Sequence, residues 1–200
     1  MAKDVIVLTG AGQIGMAIAR RIGNGKKIVL ADWKIENANN SAKILTEAGF
    51  DTLAIEVDIS SRKSINQLIK ASLNEGEISI FINAAGVSPT QATIEEILYI
   101  DLYGTALLLE EFGKIIKQGG AGVTISSQSS HRMPCLTIEE DRLLATIPSD
   151  ELLNLDLLKK ENIKDTLHAY QIAKRGNIKR VMAESINWSK RGARLNSISP

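Results

Sequence analysis

The sequence has few of the residue types that build disulfide frameworks or metal clusters. It contains one cysteine, Cys135, and two histidines in 200 residues. A single cysteine excludes a disulfide within the chain and is typical of a protein in a reducing compartment. His131 lies four residues before Cys135, but Pro134 between them disfavours the helix that would bring the two side chains together. We therefore predict no metal site.

The chain also lacks an excess of one charge and long hydrophobic runs. Lysine and arginine number 24 against 23 aspartates and glutamates, so no strong field attracts nucleic acid or an anionic membrane. No segment approaches the roughly twenty apolar residues of a membrane span, and the first apolar run, 5–9, is too short for a signal-peptide core. These features predict a cytoplasmic protein whose partner is a small molecule, with no nucleic acid and no membrane.

The pattern along the chain predicts the fold class. Short apolar runs rich in β-branched residues alternate with helical patterns, which is typical of βαβ units and a parallel sheet. Strands are predicted at 5–9, 27–32, 52–58, 78–83, 122–127 and 194–199, with helices at about 12–23, 37–48, 61–74, 94–117 and 165–189. We expect a single α/β domain over residues 1–200, with a doubly wound parallel sheet of the Rossmann type in three αβα layers.

One segment interrupts this alternation. Between Ser130 and Thr166, about 35 residues contain two prolines and an amphipathic stretch, 149–160, which Ser149 is expected to cap. We predict a helical insertion, 131–166, between the fifth strand and the last helix. Two interpretations stay open: a surface loop or oligomer contact, and a lid whose apolar side chains cover a substrate.

A glycine-rich turn indicates a dinucleotide site. The run Gly10-Ala11-Gly12-Gln13-Ile14-Gly15 follows the first strand and opens a helix, where glycines let the backbone approach a pyrophosphate and helix N–H groups face its oxygens. The second strand ends at Asp32, before Trp33. A carboxylate there accepts hydrogen bonds from the adenosine ribose and repels a 2′-phosphate, which favours NAD over NADP. Lys34 weakens that preference because its ammonium is able to reach a phosphate.

Tyr170 and Lys174 indicate a proton-transfer site. They are four residues apart in a helical pattern, so both side chains share one face of the helix. An ordinary phenol has a pKa of about 10, and it needs a nearby cation to exchange protons near neutral pH. Because this spacing also arises by chance, its meaning depends on the rest of the sequence.

Taken together and in this order, the motifs resemble those of the short-chain dehydrogenase/reductase family over the range from Val5 to Pro200. The matching segments are the glycine turn 9–15, Val57-Asp58-Ile59, Asn83-Ala84-Ala85-Gly86, Ile125-Ser126-Ser127, Tyr170 with Lys174, and the last strand. The resemblance implies an NAD(P)-dependent oxidoreductase that interconverts a secondary alcohol and a ketone, usually as a homodimer or homotetramer. It also implies cofactor contacts from the glycine turn and from the segments that contain Asp58, Ile59 and Asn83.

The resemblance also implies the catalytic roles. Ser127 would hydrogen-bond the substrate oxygen, Tyr170 would transfer the proton, and Lys174 would assist the phenol and hold the nicotinamide ribose. Ser129 is the alternative catalytic serine if the fifth strand ends later than predicted. Asp101 occupies the position of the family's active-site asparagine, so its carboxylate is expected to alter the electrostatics of the lysine.

Other departures from the family pattern leave room for different functions. The glycine turn is one residue shorter than usual, and the chain is expected to end before the usual C-terminal substrate segment. Comparable insertions occur in some hydroxysteroid and carbonyl-reducing members, which favours a bulky, apolar substrate. The alternatives are a nucleotide-binding regulatory protein without turnover and a sugar-nucleotide epimerase or dehydratase, since that branch also uses Tyr-x-x-x-Lys.

Overall fold

A computed structural model of the chain describes residues 3–200, and its centre is a parallel sheet of six strands. The strands are β1 (Asp4–Thr9), β2 (Lys27–Asp32), β3 (Asp51–Glu56), β4 (Glu77–Asn83), β5 (Ala121–Ile125) and β6 (Arg194–Ile198). Their order in the sheet is β3-β2-β1-β4-β5-β6, so the winding reverses between β1 and β4. The predicted doubly wound Rossmann-type sheet is confirmed, and such a reversal opens a crevice beyond the carboxyl ends of the strands.

Helices cover both faces of the sheet. The helices on one face are α1 (Gln13–Ile22) and α2 (Ile35–Glu47), and those on the other face include α3 (Arg62–Glu75). Along β1, Ile6 and Leu8 pack toward the first pair of helices, whereas Val5 and Val7 pack toward the opposite face. Because both faces are covered, all four side chains are fully buried and the strand is a continuous apolar run.

The helix after β4 changes its winding in the middle. It begins as α4 (Ile94–Ile97), continues as a π-helical segment (Leu98–Gly104) and ends as α5 (Thr105–Ile115). The predicted helix over 94–117 is thus correct in position, but the change of hydrogen-bond pattern was not foreseen. Asp101 lies within the π-helical segment and is fully buried. Short π-helical segments occur frequently at functional sites.

The insertion 131–166 is packed against the rest of the protein. It forms α6 (Ile138–Thr146), α7 (Ser149–Leu152) and two 3₁₀ turns at Asp156–Leu158 and Lys160–Asn162. Its buried leucines join one apolar cluster with side chains of α4, the π-helical segment and the last helix; they are Leu144, Leu152, Leu155 and Leu158. The insertion therefore contributes to the core of this domain.

Two local predictions in the insertion were wrong. Ser149 does not cap a helix over 149–160, because Pro148 occupies the N-cap position and the Ser149 hydroxyl donates to the Glu110 carboxylate instead. The helix ends after one turn at Leu152. Leu155 and Leu158 follow Leu152 at intervals of three residues, and both are buried. This interval matches the three residues per turn of a 3₁₀ helix. The prediction also missed α6, although Thr137 and Glu140 form a capping box at its start.

The last helix, α8 (Thr166–Lys190), presents the tyrosine–lysine pair to the end of the sheet. Asp165 caps it by accepting the His168 backbone N–H at 2.7 Å. Near its other end, the indole N–H of Trp188 donates to the Leu109 carbonyl oxygen at 3.0 Å. Gly122 in β5 leaves room for that indole, since a Cβ there would lie 2.6 Å from the ring. These contacts fix α8 against β5 and α5.

None of the helices in residues 3–200 combines the length and the apolar character needed to cross a bilayer.

Candidate active site

A cleft of about 690 Å³ lies beyond the carboxyl ends of the central strands. Residues directly after β1, β2, β3 and β4 form its floor and walls. The lining residues are Gly10, Gly12, Asp32, Trp33, Lys34, Asn37, Val57, Asp58, Ile59, Ser60, Ala84, Ala85, Gly86, Val87, Gln91, Glu96 and Ile100. This is the crevice in which doubly wound sheets bind their ligands.

The glycine turn is packed too tightly for side chains at two positions. Gly10 has a φ of +83°, and a Cβ on it would lie 2.5 Å from the Ala85 backbone nitrogen. A Cβ on Gly15 would lie 2.6 Å from a Leu8 methyl group. A Cβ on Gly12, by contrast, would have no atom within 4 Å. Gly12 is also the N-cap of α1, and no side chain caps that helix. Backbone atoms of this turn are therefore free to approach a ligand in the cleft.

Two predicted cofactor contacts in this turn have side chains outside the cleft. Gln13 and Ile14 are both exposed, and neither lines the cavity. They belong to the first turn of α1, where the backbone N–H groups of the helix are without partners within the helix. These N–H groups are available to an anionic ligand at the start of α1.

Asp32 is held in a fixed position at one end of the cleft. Its Oδ2 accepts the Ala11 N–H at 3.0 Å, and its Oδ1 accepts the Lys34 N–H and the Asn37 amide, each at 3.1 Å. Trp33 beside it is 65% exposed and lines the mouth of the cleft. Asn37 was not among the predicted site residues, because no local motif marks its contact with the aspartate.

Asp58 and Asn83 stabilise the two loops that face Asp32. The Asp58 carboxylate accepts the N–H of Ser60 at 2.9 Å and its hydroxyl at 2.6 Å. Asn83 is buried; its amide donates to the Thr105 hydroxyl at 3.1 Å, and its Oδ1 accepts from the Thr9 hydroxyl and the Ala85 N–H. The side chain of Asn83 thus supports the 84–86 segment from below, and that segment lines the cleft.

A buried ion pair lies under the other end of the cleft. The Lys174 Nζ is 3.3 Å from the Asp101 Oδ2, and the two side chains are 6% and 0% exposed. The Asp101 Oδ1 accepts the Val87 N–H at 2.8 Å. Burial raises the pKa of the Asp101 carboxyl above its ordinary value, while Lys174 and the Val87 N–H act in the opposite direction. The Lys174 Nζ also lies 5.3 Å from the centroid of the Tyr170 ring.

The cleft and this ion pair meet at Gly86. A Cβ on Gly86 would lie 2.9 Å from the Asp101 Oδ1 and 3.2 Å from the Lys174 Nζ. Gly86 itself is exposed and lines the cleft, whereas Tyr170 and Lys174 do not. A side chain at this position would therefore collide with the ion pair beneath the cleft.

Ser127 lies just past the end of β5. The strand ends at Ile125, two residues earlier than predicted, and Ser127 begins the 3₁₀ turn Gln128–His131. Its hydroxyl oxygen accepts the Ser129 N–H at 3.2 Å. The preceding residue, Ser126, is buried and donates to the Lys174 carbonyl oxygen at 2.8 Å. This bond, which sequence reasoning missed, ties the turn of Ser127 to the helix that carries the tyrosine and the lysine.

Several lining residues of the cleft were also absent from the sequence prediction. Gln91, Glu96 and Ile100 come from the loop and helices after β4. They carry no recognisable spacing, and only the packing of α4 above the sheet brings them to the cleft. Within residues 3–200, no group of three or more histidines, cysteines, aspartates or glutamates is arranged to hold a metal ion.

Comparison with known proteins identifies the family. The sequence profile described as enoyl-(acyl carrier protein) reductase matches residues 10–136. A short-chain dehydrogenase/reductase, bsc3 of Alternaria brassicicola, is 38% identical over 207 aligned residues, covering 100% of this chain and 73% of that protein. The chain therefore belongs to the short-chain dehydrogenase/reductase family and is an oxidoreductase of that type. Members of the family use nicotinamide cofactors.

Other relatives share parts of the chain or its fold. The 7alpha-hydroxysteroid dehydrogenase of Bacteroides fragilis is 34% identical over 111 residues, which cover 54% of this chain and 43% of that enzyme. The matches to several further curated relatives span 54–55% of their lengths. The solved structure of levodione reductase has a TM-score of 0.76 at 21% identity, covering 100% of this chain and 72% of that one. That likeness shows the fold.

Proposed function

We propose that this protein interconverts a secondary alcohol and a ketone, with NAD(H) as the cofactor and Tyr170 as the acid and base. The observation that carries this proposal is the position of Lys174. Its ammonium lies beside the Tyr170 ring, below Gly86 at the edge of the cleft. A cation in this position favours a phenolate, which a proton-transferring tyrosine needs.

The residues around the cleft fit a dinucleotide. The volume of the cleft suits an extended ligand, and the backbone of the glycine turn is exposed at Gly12 next to the start of α1. At the opposite end, the Asp32 carboxylate is positioned for ribose hydroxyls and disfavours a 2′-phosphate. Lys34, which also lines the cleft, is the feature that favours NADP. We assign the preference to NAD because Asp32 is held by three hydrogen bonds whereas Lys34 is exposed.

The proposed mechanism assigns one task to each side chain. Tyr170 removes the hydroxyl proton of the alcohol as hydride leaves the carbinol carbon, and in reduction it returns the proton to the carbonyl oxygen. Ser127 donates a hydrogen bond to that oxygen as negative charge develops on it. Lys174 stabilises the phenolate and holds the ribose next to the nicotinamide, while Asp101 contacts Lys174. When bound, the nicotinamide ring accepts or supplies the hydride.

Apolar side chains that pack against the same cluster as Tyr170 support a bulky, apolar substrate. Val87 and Ala92 from the loop after β4, and Met133 and Leu136 from the insertion, are partly buried against the same apolar cluster as Tyr170. The insertion thus shares the apolar cluster against which the proposed reacting centre packs. The name of the bacterial relative, a hydroxysteroid dehydrogenase, agrees with this class of substrate. We further propose that residues 1–200 act as one NAD(P)-binding domain with residues 131–166 inserted.

The decisive experiment uses Tyr170→Phe, with Tyr99→Phe as the control because Tyr99 is 53% exposed and lies outside the cleft lining. NADH formation is followed by absorbance with a panel of secondary alcohols that includes cyclohexanol and a 7α-hydroxysteroid. We expect Tyr170→Phe to lower the rate at least about a hundredfold and to leave NADH binding within about twofold. The control should keep the rate of the unmodified protein.

Two outcomes would contradict the proposal. An unchanged rate in Tyr170→Phe would exclude the tyrosine as the acid and base. A wild-type protein that binds NADH but oxidises no alcohol and reduces no ketone in the panel would instead favour a nucleotide-binding regulatory protein.

A further inference from the structure

We infer that the Asp101 carboxylate is a positioning residue that offsets the charge of Lys174 at the Tyr170 phenol. This inference deepens the proposed function, on which its catalytic consequence rests. Three observations carry it: the contact geometry, the burial of the pair, and the connection to the cleft.

The geometry places a carboxylate oxygen against the lysine. The Asp101 Oδ2 is 3.3 Å from the Lys174 Nζ, and within residues 3–200 this oxygen has no hydrogen-bond partner. Its attraction to the ammonium is thus ionic. The Oδ1 is occupied by the Val87 N–H at 2.8 Å, which orients the carboxylate and favours its ionised form. An asparagine would reproduce the contact with Val87 but would not place a negative charge beside the lysine.

Burial makes this charge effective. Asp101 is fully buried and Lys174 nearly so, and opposite charges interact much more strongly away from water than at a surface. Tyr170 is the third member of the group, since its ring centroid is 5.3 Å from the ammonium. A bare ammonium would strongly stabilise a phenolate. An ammonium already paired with a carboxylate does so less, because the two charges partly cancel at the position of the phenol.

Other charged side chains lie on the surrounding helices, but Arg175 and Lys179 of α8 are paired with Asp141 of α6. Lys174 is the charged side chain that acts on the Asp101 carboxyl. The loop above the pair contributes Gly86 and Val87, which have no titratable side chain. The 3₁₀ turn after β5 contributes the exposed His131, and α8 contributes His168, whose Nδ1 accepts the Lys164 N–H at 3.2 Å. The local balance therefore depends mainly on the Asp101–Lys174 pair.

The same carboxylate connects the lysine to the cleft. Val87 lines the cleft, and its N–H donates to the Asp101 Oδ1. The Asp101 Oδ2 faces Lys174. The π-helical segment brings Asp101 to this position beneath Gly86. The arrangement has a functional consequence: the phenol proposed to donate to a ketone lies next to an ammonium that is paired with a carboxylate.

The test measures the tyrosine directly and needs neither substrate nor turnover. The chain has three tyrosines, so labelling with [¹³Cζ]tyrosine gives three signals, and Tyr170→Phe identifies that of Tyr170. We expect Asp101→Asn to lower the pH midpoint of the Tyr170 titration by about one unit, a tenfold change in proton affinity. A midpoint that is unmoved or raised would overturn the inference.

A matched control tests whether the effect is specific. Burial, together with the nearby Asp150, raises the pKa of Tyr103 above its ordinary value. Asp150→Asn should therefore lower the midpoint of Tyr103 and leave that of Tyr170 in place, the reverse of the pattern for Asp101→Asn. If Asp101→Asn and Asp150→Asn shifted the Tyr170 midpoint equally, the change in net charge of the protein would explain the result and the inference would fail.

A second set of variants covers the case in which Asp101→Asn does not fold. Lys174→Gln should raise the Tyr170 midpoint, and Asp101→Asn combined with Lys174→Gln should bring it back toward that of the wild type, since both charges are then absent. A double variant with a midpoint well above that of Lys174→Gln would overturn the inference. Turnover of the wild-type protein is scored separately. If it turns over no substrate but Asp101→Asn shifts the Tyr170 midpoint as expected, the proposed function is contradicted and the role of Asp101 is not. If it turns over substrate and the midpoint does not shift, the role of Asp101 is contradicted and the proposed function is not.

Discussion

Arg175 on α8 forms a two-point ion pair with Asp141 on α6, with its Nε 2.9 Å and its outer nitrogen 2.6 Å from the two carboxylate oxygens. Lys179, one turn further along α8, lies 2.9 Å from the same carboxylate. The pair joins the insertion to the helix that carries Tyr170 and Lys174. It is mostly shielded from water, because the Asp141 and Arg175 side chains are 17% and 24% exposed. The insertion is thus fixed to α8 by charge as well as by its leucines.

Asp141→Asn should destabilise the protein by about 1–2 kcal/mol at neutral pH, since a charge-assisted, bidentate contact is lost. The hydrogen bond from Arg175 holds the pKa of Asp141 below its ordinary value of 3.8. A lowered folded-state pKa contributes stability at neutral pH that disappears as the pH falls through that pKa. The difference between wild type and variant should therefore be constant down to about pH 4 and shrink below it. Urea unfolding at several pH values measures it.

Glu139→Gln is the matched control for this pair. Glu139 also lies on α6, but it pairs with Arg142 in an exposed position, where the two side chains are 62% and 59% exposed. We expect no measurable loss of stability. An equal loss in both variants would show that the charge of α6, and not its contact with α8, supports the insertion.

Gly10→Ala should destabilise the fold by more than about 2 kcal/mol. A side chain at a φ of +83° is strained, and its Cβ would collide with the backbone of Ala84 and Ala85. Gly12→Ala is the control, because the φ of Gly12 is negative and no atom lies within 4 Å of the added carbon. The unfolding free energies of the two variants give the comparison. Equal losses would mean that the contact between the glycine turn and the loop after β4 is unimportant.

Asp32→Asn should weaken NADH binding about tenfold while changing NADPH binding much less. The substitution keeps the shape of the side chain but removes its negative charge. In the proposed function, that charge strengthens the hydrogen bonds from the ribose hydroxyls and repels a 2′-phosphate. Fluorescence titration with each reduced cofactor measures both affinities. Asn37→Ala serves as the control, since it removes one donor to the Asp32 carboxylate without removing its charge. A parallel loss of both affinities in Asp32→Asn would contradict the proposed preference for NAD.

The fold was predicted correctly from the sequence where interactions between residues close in the sequence determine the structure. The buried run at Val5–Leu8 and the alternation with helices were sufficient for the parallel sheet, because a strand covered on both faces must be apolar throughout. Prediction was less accurate at the ends of elements. β5 ends two residues before Ser127. The Ser149 hydroxyl donates to the Glu110 carboxylate on α5 and does not cap a helix. Such ends depend on partners that are distant in the sequence.

The sequence by itself determined the family features of this protein: the glycine turn, Asp32 at the end of β2, and one helical face shared by Tyr170 and Lys174. These follow from spacing within single elements, which local backbone geometry controls. Only the tertiary structure decided that the Asp101 carboxylate lies against Lys174 beneath Gly86, and that residues 131–166 are packed into the core. Residues 101 and 174 belong to different helices, so their contact depends on how those helices pack on the sheet, which no local pattern encodes.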